Sequence, residues 1–366
     1  MKGKNKNSGG SFLGGIIVLI VGIGLLWYNE GRTVKTQAAI NEASKNFVQV
    51  KSDKVDSKNE GNLIATNGKL DLTNSSELVD DVFAVKAKSV KLVRTVEMYQ
   101  WEESCSTDDN NKETCTYKKE WNDDLVDSSS FKESGHSNPE AMPYKSENFL
   151  AENVKLGAFD MPQDLEERLS AKKEVGEAQL KEEYGDKVEG LVVSGKYITN
   201  VKEGVPEVGN IRVSFAYNTS NSASVLAQQS GNSFVQYTAK NGKGIYRIKD
   251  GVHTGKEIIA DMTKENNTLK WILRLVGTLL IMLGIGAMFG PIEWLASFVP
   301  FLGGLVSTAT SLISFVLGLS ISLLVIAIAW FRFRPILSIV LIVIVIGLLV
   351  GLKYMRKPKI TKKETE

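Results

Sequence analysis

The sequence predicts an α+β membrane protein: four helical spans with a large, mainly antiparallel β domain between the first two. Three observations carry this. From Trp271 to Leu352 the only charged residues are Arg274, Glu293, Arg332 and Arg334. A second apolar run, FLGGIIVLIVGIGLLWY (Phe12 to Tyr28), stands near the N-terminus. Between them lies a polar segment whose Val-rich runs alternate in polarity and are divided by turn dipeptides.

A bilayer core needs about 20 apolar helical residues per crossing, so the C-terminal block is several crossings. Its breaks are GPIEWLASFVP (Gly290 to Pro300) and FRFRP (Phe331 to Pro335). Cutting there gives spans at 271–289, 303–330 and 335–352, with an interfacial segment at 290–302 and an outer turn at 331–334. Two prolines and Glu293 make 290–300 a poor crossing, and Trp294, Leu295, Phe298 and Val299 suit a short helix in the membrane plane. The run at 12–28 exceeds a signal-peptide core and is followed by polar NEGR, so it reads as an uncleaved anchor. Lysines 2, 4 and 6 precede it, and six cations fill the tail at 353–366. Both ends therefore favour the cytoplasm, which places 29–270 outside and makes the crossings even in number.

Taken in order, Thr33 to Phe47 continues the first helix out of the membrane, and a short strand follows near Phe47 to Val50. NLIATNGKLDL and VKAKSVKLVRTVEMYQWEE read as strands, and FKESGHSNPEAMPY (Phe131 to Tyr144) as loop. Pro162 to Tyr184 reads as one solvated helix with Leu165, Leu169 and Leu180 on its inner face. Strands return after it, with hairpin turns at Gly231–Asn232 and Asn241–Gly242. A last helix feeds the second span.

Cys105 and Cys115 both fall in the exterior segment, and an even pair in an oxidising compartment reads as a disulfide. Folding the chain about DDNN pairs Cys105 with Cys115, Glu103 with Tyr117, Trp101 with Lys119 and Tyr99 with Trp121 on one face. Glu102 meets Lys118 on the other. A zinc site is the rival, with half a ligand set.

Enzyme chemistry has little to draw on. His253 and Glu257 have helical ligand spacing but form an incomplete metal set, and His136, near Ser137 and Glu140, suits loop capping better than base catalysis. No phosphate loop, GxSxG or HExxH occurs, and no cofactor is expected. No basic face points to nucleic acid. The spans hold no ionisable group at mid-depth, against an ion-coupled carrier. Ser307, Ser311, Ser314, Gly318 and Ser322 form a small-residue stripe that favours helix packing over a pore lining. Arg332 and Arg334 would lie on the outer side with Glu30. Two acceptors compete for them: lipid phosphate, or Glu30 itself, which would tie the anchor to the C-terminal block.

NEGR, VEMYQWEE, the EW closing the hairpin, GHSNPEAM, PEVGNIRVSFAY and WFRFRP, in this order along nearly the whole chain, resemble the transmembrane protein 43 (LUMA) family. The resemblance implies four spans, cytoplasmic ends and a large lumenal or periplasmic loop. Eukaryotic members look like envelope organisers of the endoplasmic reticulum and inner nuclear membrane, linked to lamins and emerin. The short Lys- and Gly-containing N-terminus is closer to bacterial members, which implies a bacterial inner membrane with a periplasmic domain. The expected function is a non-enzymatic membrane scaffold. Its expected partners are the bilayer, further copies of itself and other membrane or envelope proteins. The alternative is an oligomeric channel lined by the third span.

Overall fold

The structure, a computed structural model, describes residues 8–107, 113–201, 204–291, 302–336 and 338–339. The chain divides into two compact units, Ala39–Asp261 and Met1–Ala38 with Met262–Glu366. The divisions fall inside two continuous helices, α1 (Ser8–Asn46) and one that begins at Gly255.

In the Ala39–Asp261 unit, β1 (Val48–Gln49) runs parallel to β2 (Leu63–Asp71), and β3 (Leu78–Val79) pairs with β4 (Lys86–Ala87). Next come β5 (Lys91–Thr107), β6 (Glu113–Asn122), β7 (Glu147–Leu150), β8 (Lys155–Leu156) and β9 (Phe159–Asp160). Helices α2 (Gln163–Glu166) and α3 (Glu177–Tyr184) flank β10 (Lys173–Glu174). The unit continues through β11 (Val192–Ser194), β12 (Tyr197–Thr199), β13 (Ile211–Tyr217) and β14 (Ser222–Ser230). It closes with β15 (Ser233–Val235), β16 (Tyr237–Thr238), β17 (Gly244–Ile245) and β18 (Arg247–Asp250). One sheet has the order β15-β14-β2-β8-β9, with β1 added on β2 and β18 on β14. The other is β11-β12-β13-β5-β6, with β10 on β13 and β7 on β5.

Alternation builds the core. Leu92, Val96 and Met98 of β5 and Val213 and Phe215 of β13 share one apolar cluster with Ile64 of β2 and Val225 and Ala227 of β14. Arg94 breaks the apolar register of β5, and its charge is satisfied in place. It reaches Asp80 at 2.6 Å, Glu147 at 2.7 Å and the Lys145 carbonyl at 2.8 Å. The hairpin turns fall at the two predicted dipeptides, where Gly231 has φ 58° and Gly242 φ 79°.

The single helix expected over Pro162 to Tyr184 is not formed. Leu165, Leu169 and Leu180 are buried as expected, but the chain between α2 and α3 is extended. Val175 is fully buried there, and its N–H reaches the Phe215 carbonyl at 2.8 Å. Placing Val175 in the core and pairing β10 with β13 outweighs the small intrinsic stability of a mostly polar helix.

The other unit holds three helices long and apolar enough to cross a membrane among the described residues: α1, α4 (Gly255–Met288) and α5 (Leu302–Phe333). They contain the predicted spans at 12–28 and 303–330 and all but the last residue of 271–289. The fourth span at 335–352 lies almost wholly outside the described residues. The membrane-plane helix of 290–300, most of the 290–302 segment and the cytoplasmic tail also lie outside them. The outer turn expected at 331–334 is shorter: Phe331–Phe333 remain helical and the break falls at Arg334, because Pro335 disfavours helical geometry in the residue before it.

Glycine sets the α1–α4 contact. A Cβ on Gly15 would stand 2.6 Å from the Gly284 carbonyl, and one on Gly22 3.0 Å from that of Gly277. The pairs are seven residues apart on each helix, so the two backbones run antiparallel in near contact. Leu26, Ile281 and Ile285 form the buried apolar cluster beside them.

Candidate functional site

The candidate site is a buried polar junction where the polar end of α1 meets the start of the apolar part of α4 and the end of α5. Glu30 is fully buried. Its Oε1 accepts from Arg274 Nε at 2.6 Å and its Oε2 from Trp330 Nε1 at 2.9 Å. These partners are 244 and 300 residues away in sequence. Asn29 Nδ2 donates to the Lys270 carbonyl at 3.0 Å. Arg32 donates to Asn266 Oδ1 at 3.1 Å, and Asn266 Nδ2 returns a bond to the Thr33 carbonyl at 3.1 Å. A carboxylate, two guanidiniums, two amides and an indole thus bond one another between three apolar helices, where water is scarce, and Arg32 Nε and Arg274 Nη2 are left buried without a partner among the described residues.

The expected pairing of Glu30 with Arg332 or Arg334 is therefore corrected. The anchor is joined to the C-terminal helices through Glu30, but Arg274 and Trp330 make the contact. Arg332 lies over the Phe333 ring and Arg334 over the Trp330 ring, each at 5.7 Å. Arg274 stands within one turn of the start of the 271–289 span. The signal available was that a lone Arg one turn inside an apolar helix needs an anion, and Glu30 sits at matching depth on α1.

The small-residue stripe is also revised. Ser314, Gly318 and Ser322 are buried, and a Cβ on Gly318 would meet Met282 Cγ at 2.5 Å, so these residues pack α5 on α4. The Ser314 and Ser322 hydroxyls donate to the carbonyls of Thr310 and Gly318, each at 2.7 Å. Ser311 is exposed and Thr310, four residues before Ser314, takes its place on the packed face. The side chain of Ser307 lies outside the described residues.

A separate cluster stands on the Ala39–Asp261 unit. Cys105 and Cys115 form a disulfide, and the β5–β6 register pairs Glu103 with Tyr117, Trp101 with Lys119, Tyr99 with Trp121 and Glu102 with Lys118, as the folded-symmetry argument expected. The DDNN turn lies outside the described residues. His136 stacks on Tyr117 with centroids 3.8 Å apart and meets the Trp101 ring edge-on at 4.5 Å. Asn138 Oδ1 accepts from the Trp101 amide at 2.7 Å and its Nδ2 donates back to the Trp101 carbonyl at 2.9 Å, so the 131–144 loop closes one edge of β5. The Tyr117 hydroxyl and the Lys132 amide both donate to Glu103, which holds that carboxyl below its usual range. His136 is thus built into loop packing. His253 precedes α4 rather than sharing a helical face with Glu257, and Glu257 instead exchanges bonds with Thr254 in a capping box. Reducing the disulfide is expected to cost about 2–3 kcal/mol, the loop-closure value for a ring of this size. Thiols that react fully with maleimide in unreduced protein would contradict the bond.

The family profile described as transmembrane protein 43 matches residues 98–335. Transmembrane protein 43 of Mus musculus is 30% identical over 351 residues, covering 90% of this chain and 86% of that protein. The chain belongs to the transmembrane protein 43 family. The Homo sapiens member is 29% identical over 357 residues, covering 92% of this chain and 88% of that protein. The Drosophila melanogaster homolog is 28% identical over 345 residues, covering 88% and 89%. No solved structure matches the chain. In this transmembrane protein 43 family member, two of the stretches that carried the resemblance, NEGR and WFRFRP, contribute Glu30 and Trp330 to one buried junction. Two others, VEMYQWEE and GHSNPEAM, meet at Trp101 and His136.

Proposed function

We propose that this integral membrane protein is a non-enzymatic scaffold that self-assembles through its exterior domain and organises other membrane or envelope proteins. The observation that carries the reading is the free edge of β6. Tyr99 and Trp101 turn their amides and carbonyls away from β6, toward Asn210, Gly209 and Asn138. The opposed residues Trp121 and Lys119, with Tyr117 and Cys115 in the same phase, therefore turn theirs outward from the sheet. Among the described residues these outward groups have no backbone partner, and β6 is the last strand of its sheet.

A second copy fits this edge. Antiparallel pairing of two β6 strands about Lys119 sets Lys118 opposite the other copy's Glu120, and Tyr117 opposite its Trp121, twice each by symmetry. Main-chain bonds give affinity in this mode and cross-strand pairs give register. Lys119→Pro removes one outward N–H while leaving the β5–β6 ladder intact, since Lys119 does not bond β5. The variant is expected to shift the detergent-solubilised protein from oligomer to monomer by light scattering, with its disulfide retained. An unchanged oligomer would reject the β6 interface.

The animal relatives favour an endoplasmic reticulum or nuclear membrane over the bacterial inner membrane for this chain. The channel alternative loses support from the third span, whose Ser314, Gly318 and Ser322 are occupied in packing on α4.

A further inference from the structure

Around the buried Glu30, the helix ends carry a row in which cations and indoles alternate. Lys270 Nζ lies 5.5 Å from the Trp271 ring, and the Arg274 guanidinium lies 4.9 Å from the same ring and 5.7 Å from Trp330. Arg334 also lies 5.7 Å from the Trp330 ring. Lys270 stands within electrostatic reach of both arginines and of Glu30: burial first, then Arg274 and Arg334, disfavour its charge, and Glu30 acts the other way. One carboxylate serves them, and both of its oxygens are already committed to Arg274 Nε and Trp330 Nε1.

The row is short of acceptors. Arg274 Nη2 is buried without a hydrogen-bond partner among the described residues. Lys270 Nζ has only a neutral acceptor among the described residues, Asn267 Oδ1 at 2.9 Å, and neither Lys270 nor Arg334 has an ion pair among them. Clustered cations at the end of apolar helices are unfavourable unless a further anion joins them. Trp271 is 62% exposed, as an interfacial tryptophan is.

We infer that this row binds the phosphate headgroup of an anionic phospholipid, with Lys270 and Arg334 as its outer contacts and Arg274 Nη2 as the inner donor. A membrane lipid is the source that fits, because the donors sit beside the apolar helix surface that its acyl chains would cover. The exposed residues Ile272 and Leu275 lie on that surface. The inference is independent of self-assembly through β6.

The test uses the detergent-solubilised full chain with dioctanoyl phosphatidylglycerol, dioctanoyl phosphatidylcholine or inorganic phosphate, read by native mass spectrometry and melting midpoint. Phosphatidylglycerol is expected to bind and raise the midpoint, with phosphatidylcholine and inorganic phosphate far weaker. Two interfacial cations contribute enough that Lys270→Gln with Arg334→Gln should weaken phosphatidylglycerol binding about thirtyfold. The charge-preserving pair Lys270→Arg with Arg334→Lys should retain it, which separates lost charge from misfolding. Equal binding of phosphatidylcholine would overturn the proposal. So would inorganic phosphate competing as well as the lipid, or unchanged binding in the neutralised variant.

Discussion

Glu30→Gln is expected to destabilise the helical unit by about 3–5 kcal/mol, the loss typical when one member of a buried ion pair is removed. Glu30 is fully buried and the Arg274 side chain is 12% exposed, so glutamine would leave a guanidinium without its anion among apolar helices. Trp330 Nε1 would keep an acceptor in the amide oxygen, which makes the charge, rather than the hydrogen bond, the larger part of the loss. Arg274→Gln should cost a similar amount for the mirror-image reason. The double variant Glu30→Gln with Arg274→Gln should recover part of either loss, since two neutral amides can bond each other. Melting midpoints of the solubilised full chain measure all three. Arg334→Gln is the control: it lies outside the pair and should leave the midpoint in lipid-free detergent near that of the parent. If Arg334→Gln destabilises as much as Glu30→Gln does, the pairing drawn here is the wrong one.

The second large effect is a pH dependence centred on Glu166. Its side chain belongs to α2, is 1% exposed and has Oε2 without a partner among the described residues. Burial alone pushes its carboxyl from an ordinary value of 4.5 up to about 8. Between those values the folded chain holds a proton that the unfolded chain has released, so stability falls as pH rises through that window and levels off above it. At pH 7 the accumulated cost is on the order of 3 kcal/mol. Glu166→Gln should therefore flatten the decline of the melting midpoint between pH 5 and pH 8 and raise the midpoint at the upper end. The gain will be smaller than the full cost, because the new amide N–H groups also need acceptors. Carboxyls held low by hydrogen bonds, such as Glu103 and Asp71, act on the acid side, where their protonation removes stability. They leave the window above 4.5 to Glu166. A parent protein whose midpoint is flat from pH 5 to pH 8, and unaltered by Glu166→Gln, would refute the assignment.

Much of the architecture was legible from composition and period. The apolar runs announced α1, α4 and α5, because no water-soluble segment supports so long an apolar stretch in one helix. The β5–β6 hairpin was legible residue by residue. Its partners are close in sequence, its turn is a run of turn-formers, and a one-residue slip would place Cys105 and Cys115 on opposite faces. The segment from Pro162 to Tyr184 was misread because its charge pattern suits a solvated helix, while the factor that decided it, the fit of Val175 beneath β13, is invisible in a local window.

The division between the two kinds of knowledge is physical. Sequence by itself determined what depends on the covalent chain: span length, strand alternation, the turn dipeptides and a disulfide closing ten residues of separation. It also showed that Glu30 and nearby cations at the membrane boundary needed partners, since an ionised group at the edge of hydrocarbon must find one. Which partner each took was decided by tertiary structure alone. Arg274, Arg332 and Arg334 are equally charged in the sequence. Only the antiparallel approach of α1 to α4, set by Gly15, Gly22, Gly277 and Gly284, brings Arg274 to Glu30 at 2.6 Å and leaves Arg334 against the Trp330 ring.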